Sequence, residues 1–206
     1  HIYLRKGRDR ASLETGTDDL LSDLEAGVLT LTLNRPEARN AMTRSMVSAL
    51  QAQLAAAEVD QRVRCIVLTG AGRGFCAGGD VKGMAASGDG TVGDNTIDGA
   101  IHQQRINQRG TAGKLYSMPK PTIAALPGAA AGAGLSLALA CDLRIMSNSA
   151  IMTTAFARVG FSGDYGGTYF MTQLLGAANA SELYLLSDRL CAHGDMGSGL
   201  ATSLSV

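Results

Sequence analysis

Asp164 lies in Gly160-Phe-Ser-Gly-Asp-Tyr-Gly-Gly-Thr168, a lone carboxyl among glycine turns. Confinement by Phe161 and Tyr165 is expected to raise its pKa towards neutrality, which suits a group that takes and returns one proton. The competing assignment is a turn or N-cap aspartate bonded to its own backbone. Two further stretches bear on chemistry through their main chain. Arg73-Gly-Phe-Cys-Ala-Gly-Gly-Asp80 and Pro127-Gly-Ala-Ala-Ala-Gly-Ala-Gly-Leu-Ser136 are small-residue loops, each after a short apolar run and before helix. Glycines at such a handover let the backbone approach a ligand and aim N–H groups at it. Two such loops face to face would hold an oxygen anion between two backbone donors, as enolates and tetrahedral intermediates require.

Other chemistries fit poorly. Neither glycine loop gives GxGxxG, and none ends in Gly-Lys-Ser/Thr, so dinucleotide and P-loop motifs fail. Gly134-Leu-Ser-Leu-Ala138 imitates a serine-hydrolase elbow, with alanine in the last place. The histidines are His1, His102 and His193, and chain order would make His193 the base of such a triad. Ser136 reads more simply as a small residue near the start of a packed helix, and His102 as a helix-surface residue. The cysteines, Cys65, Cys76, Cys141 and Cys191, form no CxxC pair, and Cys65 and Cys141 sit in apolar runs as reduced thiols do. No metal or redox cofactor is implied.

The elements that must position these residues follow in order. Residues 1–18 are polar without a period and are expected to be an arm. Leu20 to Glu25 and Gly27 to Leu33 predict a hairpin, with Val28, Thr30 and Thr32 alternating against Leu29, Leu31 and Leu33. Asn34-Arg-Pro36 stops the second strand. Thr43 caps a predicted helix to about Val59, striped by Met46, Val47, Leu50 and Leu54. Arg64 to Thr69 is a buried strand, and Ala85 to Asp98 a loop. Ile101 to Met118 is a helix weakened by Gly110 and Gly113 and ended by Pro119. Thr122 to Leu126 is a strand, Leu135 to Ala140 a buried helix, and Asp142 to Met146 a strand. A short strand from Ala150 precedes the Asp164 loop, and helices follow over Tyr169 to Leu175 and Ala180 to Leu186. Strands alternating with helices predict an α/β fold with one core.

Length and composition agree. A chain of 206 residues, 46% apolar and 17% charged, buries one sizeable core. Zero formal net charge argues against a broad nucleic-acid or anionic-membrane surface. No apolar run reaches membrane-spanning length. The start, His1-Ile-Tyr-Leu-Arg-Lys6, lacks the apolar core of a signal peptide, and with the reduced thiols this gives a cytoplasmic expectation.

The chain resembles the crotonase, or enoyl-CoA hydratase/isomerase, superfamily. Leu31-Thr-Leu-Asn-Arg-Pro-Glu-Ala-Arg-Asn-Ala41, Ile66-Val-Leu-Thr-Gly70, Phe75-Cys-Ala-Gly-Gly-Asp80, Pro119-Lys-Pro-Thr122, Gly128 to Asp142 and Gly166-Gly-Thr168 carry the resemblance, in the family's order from about Asp19 to Leu200. It implies a crotonase-like spiral of repeated ββα units over residues 19–206, binding an acyl-CoA thioester, with coenzyme A entering only as part of the substrate. By motif position the oxyanion donors are the N–H groups of Gly79 and Ala133. Arg35, Ala38, Arg39, Ala77, Gly79, Asp80 and Val81 are expected along the CoA, with Ala77 presenting its carbonyl to the adenine. Asp80 and Asp142 are expected to shape turns. The hydratases of the family carry glutamates at the positions of Ser136 and Phe156, whereas Asp-x-Gly-Gly-Thr resembles the region where several isomerases carry a catalytic aspartate. The expected activity is therefore double-bond isomerisation with Asp164 as acid/base. The alternatives are an enoyl-CoA hydratase and a non-catalytic acyl-CoA-binding protein. Family members usually continue beyond the position of Val206 with a helical segment, so a missing C-terminal segment is expected, and a homotrimer or hexamer if the full protein has it.

Overall fold

The computed structural model describes residues 10–80, 96–191, 200–201 and 203–205. Strands β1 (Ala11–Leu13), β2 (Leu20–Glu25) and β3 (Val28–Leu33) form an antiparallel meander. Part of the stretch expected to be an arm thus supplies the edge strand of a sheet. The β2–β3 hairpin turns on Ala26 and Gly27, both at positive φ (52° and 86°). That two-residue turn matches the twist of the strands and fixes a register in which Leu20, Leu24, Leu29, Leu31 and Leu33 all face inward. Helix α1 (Arg44–Val59) starts at Thr43, whose hydroxyl accepts the Met46 N–H at 3.1 Å. Its buried stripe, with Leu50 and Leu54 fully covered, returns the chain to β4 (Cys65–Gly70), which lies parallel to β3.

From β4 onward one unit repeats. β4 is followed by β5 (Gly74–Cys76), β6 (Thr122–Leu126) by β7 (Ala129–Ala131), and β8 (Leu143–Ser147) by β9 (Ile151–Thr153). The first strand of each pair joins a seven-stranded sheet, and the second joins a four-stranded one. β10 (Leu190–Cys191) edges the small sheet, and β11 (Ser203–Ser205) runs parallel to β8 in the large one. Helices α2 (Ile97–Gln108), α3 (Lys114–Ser117), α4 (Ala133–Ala140), α5 (Gly167–Leu175) and α6 (Ala177–Leu186) complete the units. All eight residues of α4 are buried, so it is a core helix.

Two expectations need correction. β5 and β7 lie inside the glycine stretches expected to be loops. Three residues of Gly, Ala, Phe and Cys show no strand alternation, and pairing with neighbours makes them strands. The helix expected over Ile101 to Met118 begins at Ile97, capped by the Thr96 hydroxyl. At Gly110 and Gly113 it widens into a π turn, Arg109–Gly113, and then resumes as α3. A Cβ on Gly110 would come within 2.8 Å of Gln51 on α1, so glycine allows that close packing.

Asn40 ties the Pro36 turn to this scaffold. It is fully buried at φ 55°; its side-chain N–H₂ donates to Ala71 O (2.9 Å) and Gly74 O (2.8 Å), and its oxygen accepts the Arg35 N–H (2.9 Å). Asn40→Ala strands three part-buried partners and is expected to cost about 2–3 kcal/mol in a denaturant titration. Asn40→Gly should lose less, because glycine accepts the positive φ.

Candidate functional site

The two glycine stretches meet main chain to main chain. Met42 forms a parallel bridge with Gly79, in which the Met42 N–H donates to Gly78 O (2.8 Å) and the Asp80 N–H donates to Met42 O (3.1 Å). That pattern uses the groups on either side of Gly79 and turns the Gly79 N–H to the opposite side. Gly78 has φ 97°, and a Cβ there would lie 3.4 Å from the Ala133 N and 3.2 Å from Ala131 O. On the facing side Gly132 (φ 54°, ψ −128°) donates its N–H to Thr153 O at 3.2 Å and accepts the Ser136 N–H at 3.1 Å. Ala133 is therefore the first residue of α4, where helix geometry leaves the N–H without an intrahelical acceptor. Gly134 packs so tightly on Cys76 that a Cβ would lie 2.5 Å from Cys76 O. The Cys76 thiol, pushed up to about 12 by burial, stays neutral behind the loop and accepts the Gly78 N–H at 3.4 Å.

Asp164 approaches α4 from the next unit. Its carbonyl accepts the Gly167 N–H (3.1 Å) and the Ser136 hydroxyl (3.0 Å). The loop bends through positive φ at Gly163, Tyr165 and Gly166. Among the described residues the buried carboxyl oxygen Oδ1 has no hydrogen-bond partner. Burial pushes the carboxyl up to about 6. It is not a helix cap: α5 has Gly166 at its N-cap and no side chain bonded there. Phe161, expected to confine Asp164, is 60% exposed. Tyr165, the other expected neighbour, is buried, and the second wall is Tyr184, whose phenol is pushed up to about 12 by burial, with the Asp164 charge acting in the same direction. The Phe156 ring stacks on Tyr184, with centroids 6.0 Å apart and planes 6° apart, and reaches within 3.7 Å of where a Gly132 Cβ would stand.

The expected CoA-binding residues divide. Arg35 is half-buried, donating to Asp80 Oδ2 and Ala41 O at 2.9 Å each, with Asp19 at 3.9 Å and Glu37 at 4.0 Å. Asp19 also accepts the Thr43 and Ser45 hydroxyls at the start of α1. Arg35 and Asp80 thus form a strut under the first glycine loop. Arg39 is exposed at φ 54°, its carbonyl accepts the Ala77 N–H at 3.0 Å, and Ala77 is exposed beside it. Ala38 adjoins them at intermediate exposure, while Val81 lies outside the described residues, as does His193. Asp142 accepts the Thr122 N–H (2.7 Å) and hydroxyl (2.9 Å), the turn-fixing place expected for it. His102 is exposed on α2. Sequence reasoning gave Asn40 no role and did not foresee the Ser136 contact. Asn40 carried a signal, since asparagine tolerates the left-handed backbone it adopts. Among the described residues no group of three or more His, Cys, Asp or Glu side chains is gathered as for a metal ion, and no helix is long and apolar enough to cross a membrane.

A spiral of ββα units over two sheets, in which two glycine-rich loops meet, is the fold of a crotonase-class protein. The family model described as enoyl-CoA hydratase/isomerase matches residues 23–203, and the chain belongs to that family. It is 40% identical over 173 residues to the 1,2-epoxyphenylacetyl-CoA isomerase of Escherichia coli (strain K12), covering 84% of this chain and 64% of that protein. It is 41% identical over 165 residues to the mitochondrial enoyl-CoA hydratase domain-containing protein 2 of Mus musculus, covering 80% of this chain and 53% of the relative. The crystal structure of an enoyl-CoA hydratase from Polaromonas sp. JS666 superposes with a TM-score of 0.80 at 35% identity, covering 90% of this chain and 70% of that one. The chain thus spans less than two thirds of the length of these two curated relatives. The family and the ββα spiral expected from the sequence are borne out.

The raised Asp164 pKa has a consequence for stability. Between the ordinary carboxylate pKa and about 6 the folded state holds a proton that the unfolded state has released, so stability falls as pH rises through this window. Asp164→Asn should therefore raise the unfolding temperature by about 3 °C at pH 8 relative to the parent. The gain should vanish near pH 4, as thermal melts across pH will show.

Proposed function

We propose that this chain binds an acyl-CoA thioester and shifts a carbon–carbon double bond within it. The observation that carries this reading is the half-buried Asp164, poised at about 6 with one carboxyl oxygen unpartnered among the described residues. The Gly79 and Ala133 N–H groups donate to the thioester oxygen, which accepts both hydrogen bonds. The Asp164 carboxylate removes a proton from C2 of a 3-enoyl thioester, and the electron pair moves onto that oxygen as a dienolate held by the two donors. The carboxylic acid then delivers the proton to C4 as the electrons return, leaving the double bond between C2 and C3. Backbone donors and one carboxylate carry every step, and coenzyme A takes part as a portion of the substrate. Exposed Arg39 and Ala77 suit the phosphate and adenine ends of that substrate, and the Arg35–Asp80 strut holds the loop bearing Gly79.

Hydration asks for more. It needs one group to activate water and another to manage the proton at C2. By the family resemblance those groups are glutamates at the positions of Ser136 and Phe156. Here a buried hydroxyl and a buried ring stand there, and neither ionises. The names of relatives include both isomerase and hydratase, which keeps hydration as the second reading.

Turnover of matched 3-enoyl-CoA and 2-enoyl-CoA substrates tests the proposal. The first should be isomerised without hydration of the second, and Asp164→Asn should lower kcat by at least about a hundredfold with CoA-thioester binding retained. Because the base must be ionised, kcat/KM should rise with pH with a midpoint near 6. Hydration that survives Asp164→Asn would overturn the assignment, and binding without turnover would leave a non-catalytic acyl-CoA-binding protein.

A further inference from the structure

The Asp164 carboxyl presents a positioning problem. Its Oδ1 has no partner among the described residues, so hydrogen bonds at that oxygen do not set its aim. The surrounding backbone bends through positive φ at Gly163, Tyr165 and Gly166, outside any helix or strand ladder. What holds the residue is contact with neighbouring helices. Ser136, 1% exposed on α4, donates its hydroxyl to the Asp164 carbonyl at 3.0 Å, with Gly132 O as a second acceptor at 3.3 Å. Gly167 has no room for a Cβ, because the Ser136 and Tyr184 hydroxyls fill that space. On the other flank a Cβ on Gly163 would meet the Tyr184 ring at 2.9 Å. The loop is clamped between α4 and α6.

We propose that Ser136 is a positioning residue, tying the Asp164 main chain to the helix whose first N–H belongs to Ala133. Residues 133 and 136 lie three apart and share a helix face. The tether therefore makes the spacing between the oxyanion donor and the base a property of one turn of a fully buried helix. The position where the family's hydratases keep a carboxylate serves here as a mechanical link. This inference rests on Asp164 being the base.

Its test uses Ser136→Ala, Asp164→Asn and the double variant, with 3-enoyl-CoA as substrate. Ser136→Ala removes one oxygen and leaves the packing in place. It should lower kcat about tenfold with KM changed less than about twofold, as expected for a misaimed rather than unbound reactant. With the loop loosened, water reaches the carboxyl, so the midpoint of the pH–rate profile should fall from about 6 towards the ordinary carboxylate value. In the Asp164→Asn background, adding Ser136→Ala should leave the residual rate unchanged, because both partners of the hydroxyl beyond its own helix turn, the Asp164 carbonyl and the Tyr184 phenol that encloses the same carboxyl, serve the base. A Ser136→Ala protein with parental kcat and midpoint would overturn the inference while leaving Asp164 as the base. A second, multiplicative loss in the double variant would also overturn it, showing a general packing role. Full activity in Asp164→Asn alone would remove the base assignment and this inference together.

Discussion

Everything at the site depends on how closely the β5 loop and the start of α4 approach one another. Gly78 lies tightly against Ala131 and Ala133, and Gly134 packs on Cys76 at a distance that leaves no space for a side chain. Backbone donors are useful only when their positions are fixed before a ligand arrives, because a dipole that must reorient gives back part of what it contributes. Here the fixing is redundant. Met42 bridges one loop from below, Thr153 holds the other from the adjoining strand, and Arg35 and Asp80 brace the first loop against the turn before α1.

The electrostatics separate into two regimes. Arg35 and Asp80 are partly covered and directly paired, so each charge answers the other and the pair acts as a brace. Asp164 is partly covered, and among the described residues Oδ1 has no such partner, so its charged form is disfavoured, as the proposed base role requires. A carboxylate gripped by a guanidinium would be a poor base, and one left in water would be too weak a base at neutral pH. The aromatic enclosure from Tyr165 and Tyr184 places Asp164 between those limits.

Much of this was legible in the sequence, and the parts that were not share a cause. The hairpin, the cap at Thr43 and the buried strands before both glycine loops are local signals, and the structure follows them. Strands β5 and β7 exist only through partners far along the chain, so no periodicity announced them. The π turn at Arg109–Gly113 arises from packing on α1, where the glycines looked like simple breakers. At the site, the carboxyl stood out by type, but its enclosure was assigned to sequence neighbours. Of those neighbours Tyr165 does enclose it, but Phe161 points to solvent, and the second wall is Tyr184, twenty positions downstream of Asp164. Contacts between units are invisible to a linear scan, and Ser136 with Asp164 is such a contact.

The small sheet also bears on how the chain folds. Its parallel core takes one three-residue strand from each of three successive units, and none has an antiparallel hairpin partner within its own unit. Such a sheet has no stable fragment, since each strand needs neighbours contributed dozens of residues away and loop closure must come first. The large sheet can begin from its local hairpin, but β5, β7 and β9 can register only after their units have docked. The loops that meet at Gly78 and Ala133 hang from β5 and β7. Ligand-binding competence should therefore appear late in refolding, in step with the final cooperative transition rather than with early collapse.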